Sequence, residues 1–217
     1  IITNISFSND YSSSGNIVFK GYSPTIILEN GEHNASHEEC NLSKIISSTL
    51  KGVPSNLLAT KINPQKTIDL PFINQYRESD FAFIRRLAGE YGEWFYYSGS
   101  QLIFGSLADS SPIELHYPND VSKFNMQIKV VPMNFEQVSY LSKDNKIVKK
   151  ESKSLQVAGL ENLSKFAYDS SDQLFTNPRN SLNKRKFLDE SELDDSIKIA
   201  KSNRAAELLV LTASSDN

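Results

Sequence analysis

Cysteine is nearly absent: Cys40 stands alone in 217 residues, which excludes an internal disulfide framework. Histidine is scarce too, and His33, His37 and His116 leave imidazole-based catalysis or metal binding few places to sit. Only six of the 23 basic residues are arginine and the net charge is −3, so nothing draws the chain towards a nucleic-acid backbone. No apolar run exceeds four residues, far short of the roughly 20 that a membrane-spanning helix needs. The nine glycines form neither a dinucleotide fingerprint nor a P-loop, and no serine-hydrolase elbow is present. No targeting segment is visible at Ile1, and no internal repeat recurs at a period of roughly 20–50 residues.

What is there is ordinary globular material, 39% apolar and 23% charged, long enough for one large domain or two small ones. Ile2, Ile5 and Phe7, then Ile17 and Phe19, alternate like strands about a polar turn at 11–15. Thr25-Ile26-Ile27-Leu28 reads as a further strand, stopped by Asn30-Gly31. Asn41 is placed to cap a short helix carrying Leu42, Ile45, Ile46 and Leu50, with Gly52 as its stop. Short strands are expected at 57–62 and 67–73. Ser79 caps a second helix, with Asp80 in its first turn and Gly92 at its end. Its apolar stripe is Phe81, Ile84, Leu87, Ala88 and Tyr91, which sends Arg85 and Arg86 to the outer face. Trp94-Phe95-Tyr96-Tyr97 and Leu102-Ile103-Phe104 flank Ser98-Gly99-Ser100 as a hairpin.

Beyond residue 112 the pattern turns mostly to strand. A short strand is expected at 113–117, and Phe124, Met126, Ile128 and Val130 alternate before Pro132. Strands at 135–141 and 146–150 flank the Asp144-Asn145 turn. Helical character marks 160–168 and 189–206, while 106–112 and 169–186 read as surface loops. The closing run Leu208-Leu209-Val210-Leu211-Thr212-Ala213 reads as a buried strand, four residues before the end. With the methionine-free start, it predicts a chain excised from something longer.

Candidate chemistry is thin. His33, His37 and Cys40 would share a face on a helix, but Asn30-Gly31 and Asn34-Ala35-Ser36 point to a solvated connector, and a fourth zinc ligand is lacking. The carboxylates Glu78/Asp80, Glu90/Glu93 and the run Asp189, Glu190, Glu192, Asp194 and Asp195 offer pairs for glycan hydrolysis. Charge at the start of a predicted helix is better read as a solvated face. Lys184-Arg185-Lys186 is too short for a nucleic-acid patch. The aromatic strand 94–97 could stack a sugar; its nearness to the Phe81/Leu87 helix favours a core role.

One block goes further. Gln75, Tyr76, Arg77, Glu78, Ser79, Asp80 and Phe81, continuing through Leu87, Tyr91 and Gly92 to Tyr96 and Tyr97, closely resembles the QYRESD segment of VgrG spike proteins. These belong to type VI secretion systems and are related to baseplate-hub proteins of contractile phage tails. Weaker similarity runs from Gly15 to Ile26, like a strand closing the family's first barrel, and from Asn41 to Ile46, like the helix after it. The resemblance implies a β-rich α+β chain, part of a two-barrel hub fold with an α+β insertion. Residues 1–31 would be a remnant of the first barrel, 32–112 the middle region and 113–217 a second barrel-like domain. The family's role is structural: three chains close a pseudo-sixfold ring adapting a hexameric tube to a trimeric spike. It implies no catalytic residue, cofactor or metal. The implied partners are two further copies, a tube protein of the Hcp kind, baseplate components, and an OB-fold and needle of the same chain. Assembly in the cytoplasm and ejection without a signal peptide would follow. The competing reading is a glycan-binding or glycan-hydrolysing tail module using the aromatic hairpin and the acidic residues.

Overall fold

The computed structural model describes residues 1–8, 15–107, 114–141, 144–181, 187 and 189–214. Residues 11–14 of the turn expected at 11–15, residues 108–112 of the loop expected at 106–112 and the basic triplet 184–186 lie outside them. The chain is mixed α+β and rich in strand, and it divides into two compact units, Ile1–Ala108 and Asp109–Asn217. Among the described residues no helix is long and apolar enough to cross a membrane.

In the first unit, β1 (Ile2–Ser8) and β2 (Asn16–Gly21) pair antiparallel. The next apolar run, Pro24–Glu29, is a 3-10 helix and not the expected strand. Pro24 fixes a helical φ at its start, and the segment packs against the second helix. Residues 33–40, expected to be a solvated connector, form β3 (His33–Cys40), antiparallel to β5 (Leu70–Glu78). Its alternation is nearly polar, so only the partner strand reveals it.

Helix α1 (Leu42–Thr49) starts where expected, with Asn41 Oδ1 accepting the Lys44 N–H at 3.0 Å. β4 (Ala59–Asn63) runs parallel to β7 (Gln101–Gly105), which also pairs antiparallel with β6 (Trp94–Tyr97). Gly105 has φ 122°, and a Cβ there would lie 1.9 Å from the Asn63 carbonyl oxygen. Helix α2 (Asp80–Tyr91) joins β5 to β6, capped by Ser79 and ended by left-handed Gly92, φ 71°. One core gathers Leu42, Ile45 and Ile46 of α1, Phe83, Ile84 and Leu87 of α2, Leu70 and Ile73 of β5, and Leu102 and Phe104 of β7.

Among its described residues the second unit has two sheets. β8 (Lys123–Ile128) pairs antiparallel with β12 (Leu209–Ser214). β9 (Phe135–Leu141) lies between β10 (Lys146–Glu151), its antiparallel hairpin partner, and the parallel β11 (Arg179–Ser181). Helices α3 (Asn162–Leu174) and α4 (Glu190–Ala205) complete it. Three expectations change here. Residues 114–117 form no strand; the segment runs into a turn over 117–120. The stretch 169–186 is not one loop, because α3 continues to Leu174 and β11 follows Pro178. The closing strand is present but not buried: Leu208 is enclosed, whereas Leu211 is 60% exposed. Among the described residues β12 has a strand neighbour on one edge only, β8.

Candidate functional site

The block from Gln75 to Tyr97 folds as one unit of β5, α2 and β6, and its polar side chains interlock. Gln75 is buried, and its Nε2 donates to the Glu78 carbonyl and to Asp80 Oδ1, both at 3.1 Å. Asp80 also faces His33 Nε2 at 3.3 Å. Ser79 Oγ accepts the Ala82 N–H at 3.1 Å and donates to Glu29 Oε2 at 2.6 Å, tying the helix start to the 3-10 segment. The QYRESD pattern is therefore a strand-to-helix joint built from side chains.

Arg86 closes it. Expected on the outer face, it instead folds back over β5. Its Nε and one terminal nitrogen grip Glu78 at 2.8 and 3.1 Å, and that same nitrogen donates to the Asn74 carbonyl at 2.7 Å. The other terminal nitrogen reaches Glu90 at 3.2 Å, and the guanidinium lies 5.4 Å from the Phe83 ring centre. Burial works against this charge, but hydrogen bonds and attraction to Glu78 and Glu90 outweigh it and raise the Arg86 pKa above its ordinary value. Two of the acidic residues weighed for hydrolysis thus converge on one arginine. Glu93 is also engaged, accepting the Lys66 N–H at 2.9 Å.

The other motif positions divide cleanly. Leu87 and Tyr91 are buried, while Phe81 and Tyr97 pack against the core's edge and Tyr96 is half-buried. Tyr76 and Arg77 point outwards. Arg77 has φ 52°, its N–H held by Asn34 Oδ1 at 2.9 Å. Of the aromatic strand only Trp94 is exposed, so its four rings do not make a paired stacking face. Phe83, wholly buried, is the core residue that the expected stripe omitted.

The His33, His37 and Cys40 set does not converge. On an extended strand, residues four apart lie about 13 Å apart, which separates the two histidines. His37 stacks on Phe83 and Cys40 Sγ donates to the Glu38 carbonyl. Among the described residues no three His, Cys, Asp or Glu side chains gather as a metal set. In the acidic run, Asp189 caps α4, Glu190 meets Lys146 at 2.8 Å, and Asp194 meets Lys150 at 3.3 Å. Lys146 holds the Glu190 carboxyl below its usual range.

Two of the sheet ladders carry exposed apolar faces. Facing pairs Ile5/Phe19 and Phe7/Ile17 share one side of the β1–β2 ladder, and all four are exposed. In the second unit, Phe124, Met126 and Ile128 share a side of β8 with Leu211 of β12, again exposed. On β9, Phe135 is buried; period two turns it away from Val138 and Tyr140, which are exposed.

Comparison with known proteins agrees with a tail-protein fold. A 43 kDa tail protein of prophage MuSo2 from Shewanella oneidensis superimposes on 98% of the chain with TM-score 0.60 at 11% identity. A tail protein from Neisseria meningitidis MC58 covers 98% with TM-score 0.62, also at 11% identity. The chain spans about three-fifths of each, 61% and 62%. At such identity the likeness is one of fold. No protein-family model and no curated protein matches the sequence.

Proposed function

We propose that this chain is a structural module of the hub of a contractile injection machine, a phage tail or a VgrG-like secretion spike. The observation that carries the reading is the shared fold: two tail proteins match nearly the whole chain, across both units. The QYRESD block supports it from the sequence side, and the side-chain lattice around Arg86 gives that block a structural job. Exposed apolar ladders in both units supply the surfaces that an assembling subunit needs.

In this reading the chain works by assembly, without catalysis, cofactor or metal. Three copies close a ring that adapts a hexameric tube protein to a trimeric spike. Each copy must then present two different, mutually fitting surfaces. Baseplate components and a spike segment of the same polypeptide are the further partners. The particle assembles in the cytoplasm and leaves the cell with the machine. Electron microscopy of the gene-length protein tests this: class averages showing threefold rings are expected. Isolated single copies or open filaments would contradict it.

A further inference from the structure

In the unit Asp109–Asn217 the segment 131–135 joins β8 to β9 and carries a member of each of two small apolar cores. Met133 packs with Ala167, Ala205 and Leu208, whereas Phe135 packs with Leu141, Val148 and Leu193. Backbone polar groups of this segment are met from several elements. The Val131 N–H donates to Ser171 Oγ of α3 at 3.1 Å. Arg204 of α4 donates to the Pro132 carbonyl at 3.1 Å and lies 3.9 Å over the Phe135 ring. Ser152, fully buried after β10, donates its hydroxyl to the Met133 carbonyl at 3.3 Å and accepts the Phe135 N–H at 2.9 Å.

Lys201 of α4 completes the arrangement. It is 1% exposed, donates Nζ to the Ser152 carbonyl at 2.7 Å, and sits 5.5 Å over the Tyr168 ring of α3. A carbonyl and a ring are its described partners, with no carboxylate among them. A buried ammonium in such a setting costs stability, and its best-attested use is to fix one arrangement against alternatives. What it fixes follows from the topology. The β8–β12 ladder is rooted beside this segment, where the Lys129 N–H meets the Leu208 carbonyl at 2.8 Å.

We propose that Lys201 is a positioning residue: with Ser152 and Arg204 it latches segment 131–135 and so aims the β8–β12 ladder and its apolar face. The use of that aim in assembly rests on the hub reading; the latch does not. Segment-resolved hydrogen exchange on the folded chain tests it. Lys201→Met keeps length and removes the charge. Amides of 129–134, β8 and β12 are expected to exchange about tenfold faster, with β10 and β9 beyond Phe135 within about twofold of the parent. Ile197→Ala, a plain core truncation, should accelerate β9 and β10 as well, and Lys201→Arg should restore protection. Should Lys201→Met fail to fold, Ser152→Ala loosens the same segment and is read the same way. Uniform acceleration across the unit, or an unchanged ladder, overturns the latch. Failure of the hub reading would look different: a parent that stays monomeric while Lys201→Met still speeds exchange in the ladder.

Discussion

Arg86 donates four hydrogen bonds from a side chain about a quarter exposed, and Glu78, Glu90 and the Asn74 carbonyl all depend on it. Lysine cannot reproduce a planar fork that serves two carboxylates and a carbonyl. Arg86→Lys should therefore cost on the order of 1–3 kcal/mol in urea unfolding. Arg85→Lys, at an exposed position, should stay within about 0.5 kcal/mol. Equal costs would remove Arg86 from its place in the joint. His37 carries a pH signal. Its Nε2 is buried without a hydrogen-bond partner among the described residues, its ring stacks on Phe83, and burial lowers its pKa below 6.5. The unfolded chain binds that proton first, so the His37 contribution is complete above pH 6.5 and fades as pH falls towards the folded pKa. Denaturant midpoints at neutral and mildly acidic pH should show the loss, and His37→Gln should flatten it. An unchanged slope in the variant would assign the acid sensitivity elsewhere.

Among elements, α2 governs the first unit. Leu87 is fully buried in the core that α1, β5 and β7 share, and Leu87→Ala should cost about 2–5 kcal/mol. A shift in the denaturation midpoint worth less than about 0.5 kcal/mol would place Leu87 at the surface. Gly105→Ala should impair folding outright, since its Cβ would fall on the Asn63 carbonyl and its φ is left-handed. Wild-type yield and unfolding midpoint for this variant would contradict the close β4–β7 approach. The α2 helix was legible in the sequence because its signals are local: the Ser79 cap, the apolar stripe and Gly92 lie within fourteen consecutive residues. The β6–β7 and β9–β10 hairpins were legible for the same reason, each turning at a short polar loop. The polar strand β3 was not, because its pairing depends on β5, some forty residues away. Pro24–Glu29 misled in the opposite sense: three β-prone residues in a row outweighed the proline that turns them into a 3-10 helix. The site itself was half legible. The block stood out as a unit, yet its polar wiring did not, since stripe logic alone sends Arg86 outwards and leaves Phe83 out of the core.

For the whole molecule, the features that ask for a partner are the two ladders. A two-stranded ladder with an exposed apolar face is marginal alone, and each unit has one. Charging one face while leaving its strand pairing intact should separate assembly from folding. Met126 and Leu211 face each other across β8 and β12 with exposed side chains, so the double variant Met126→Lys, Leu211→Lys should keep the fold and disrupt the proposed contact. The most direct measurement is sedimentation of the gene-length protein at micromolar concentration, parent beside this double variant. A trimeric parent and a folded, monomeric variant are expected. A parent that sediments as a monomer across that range would contradict the assembly reading.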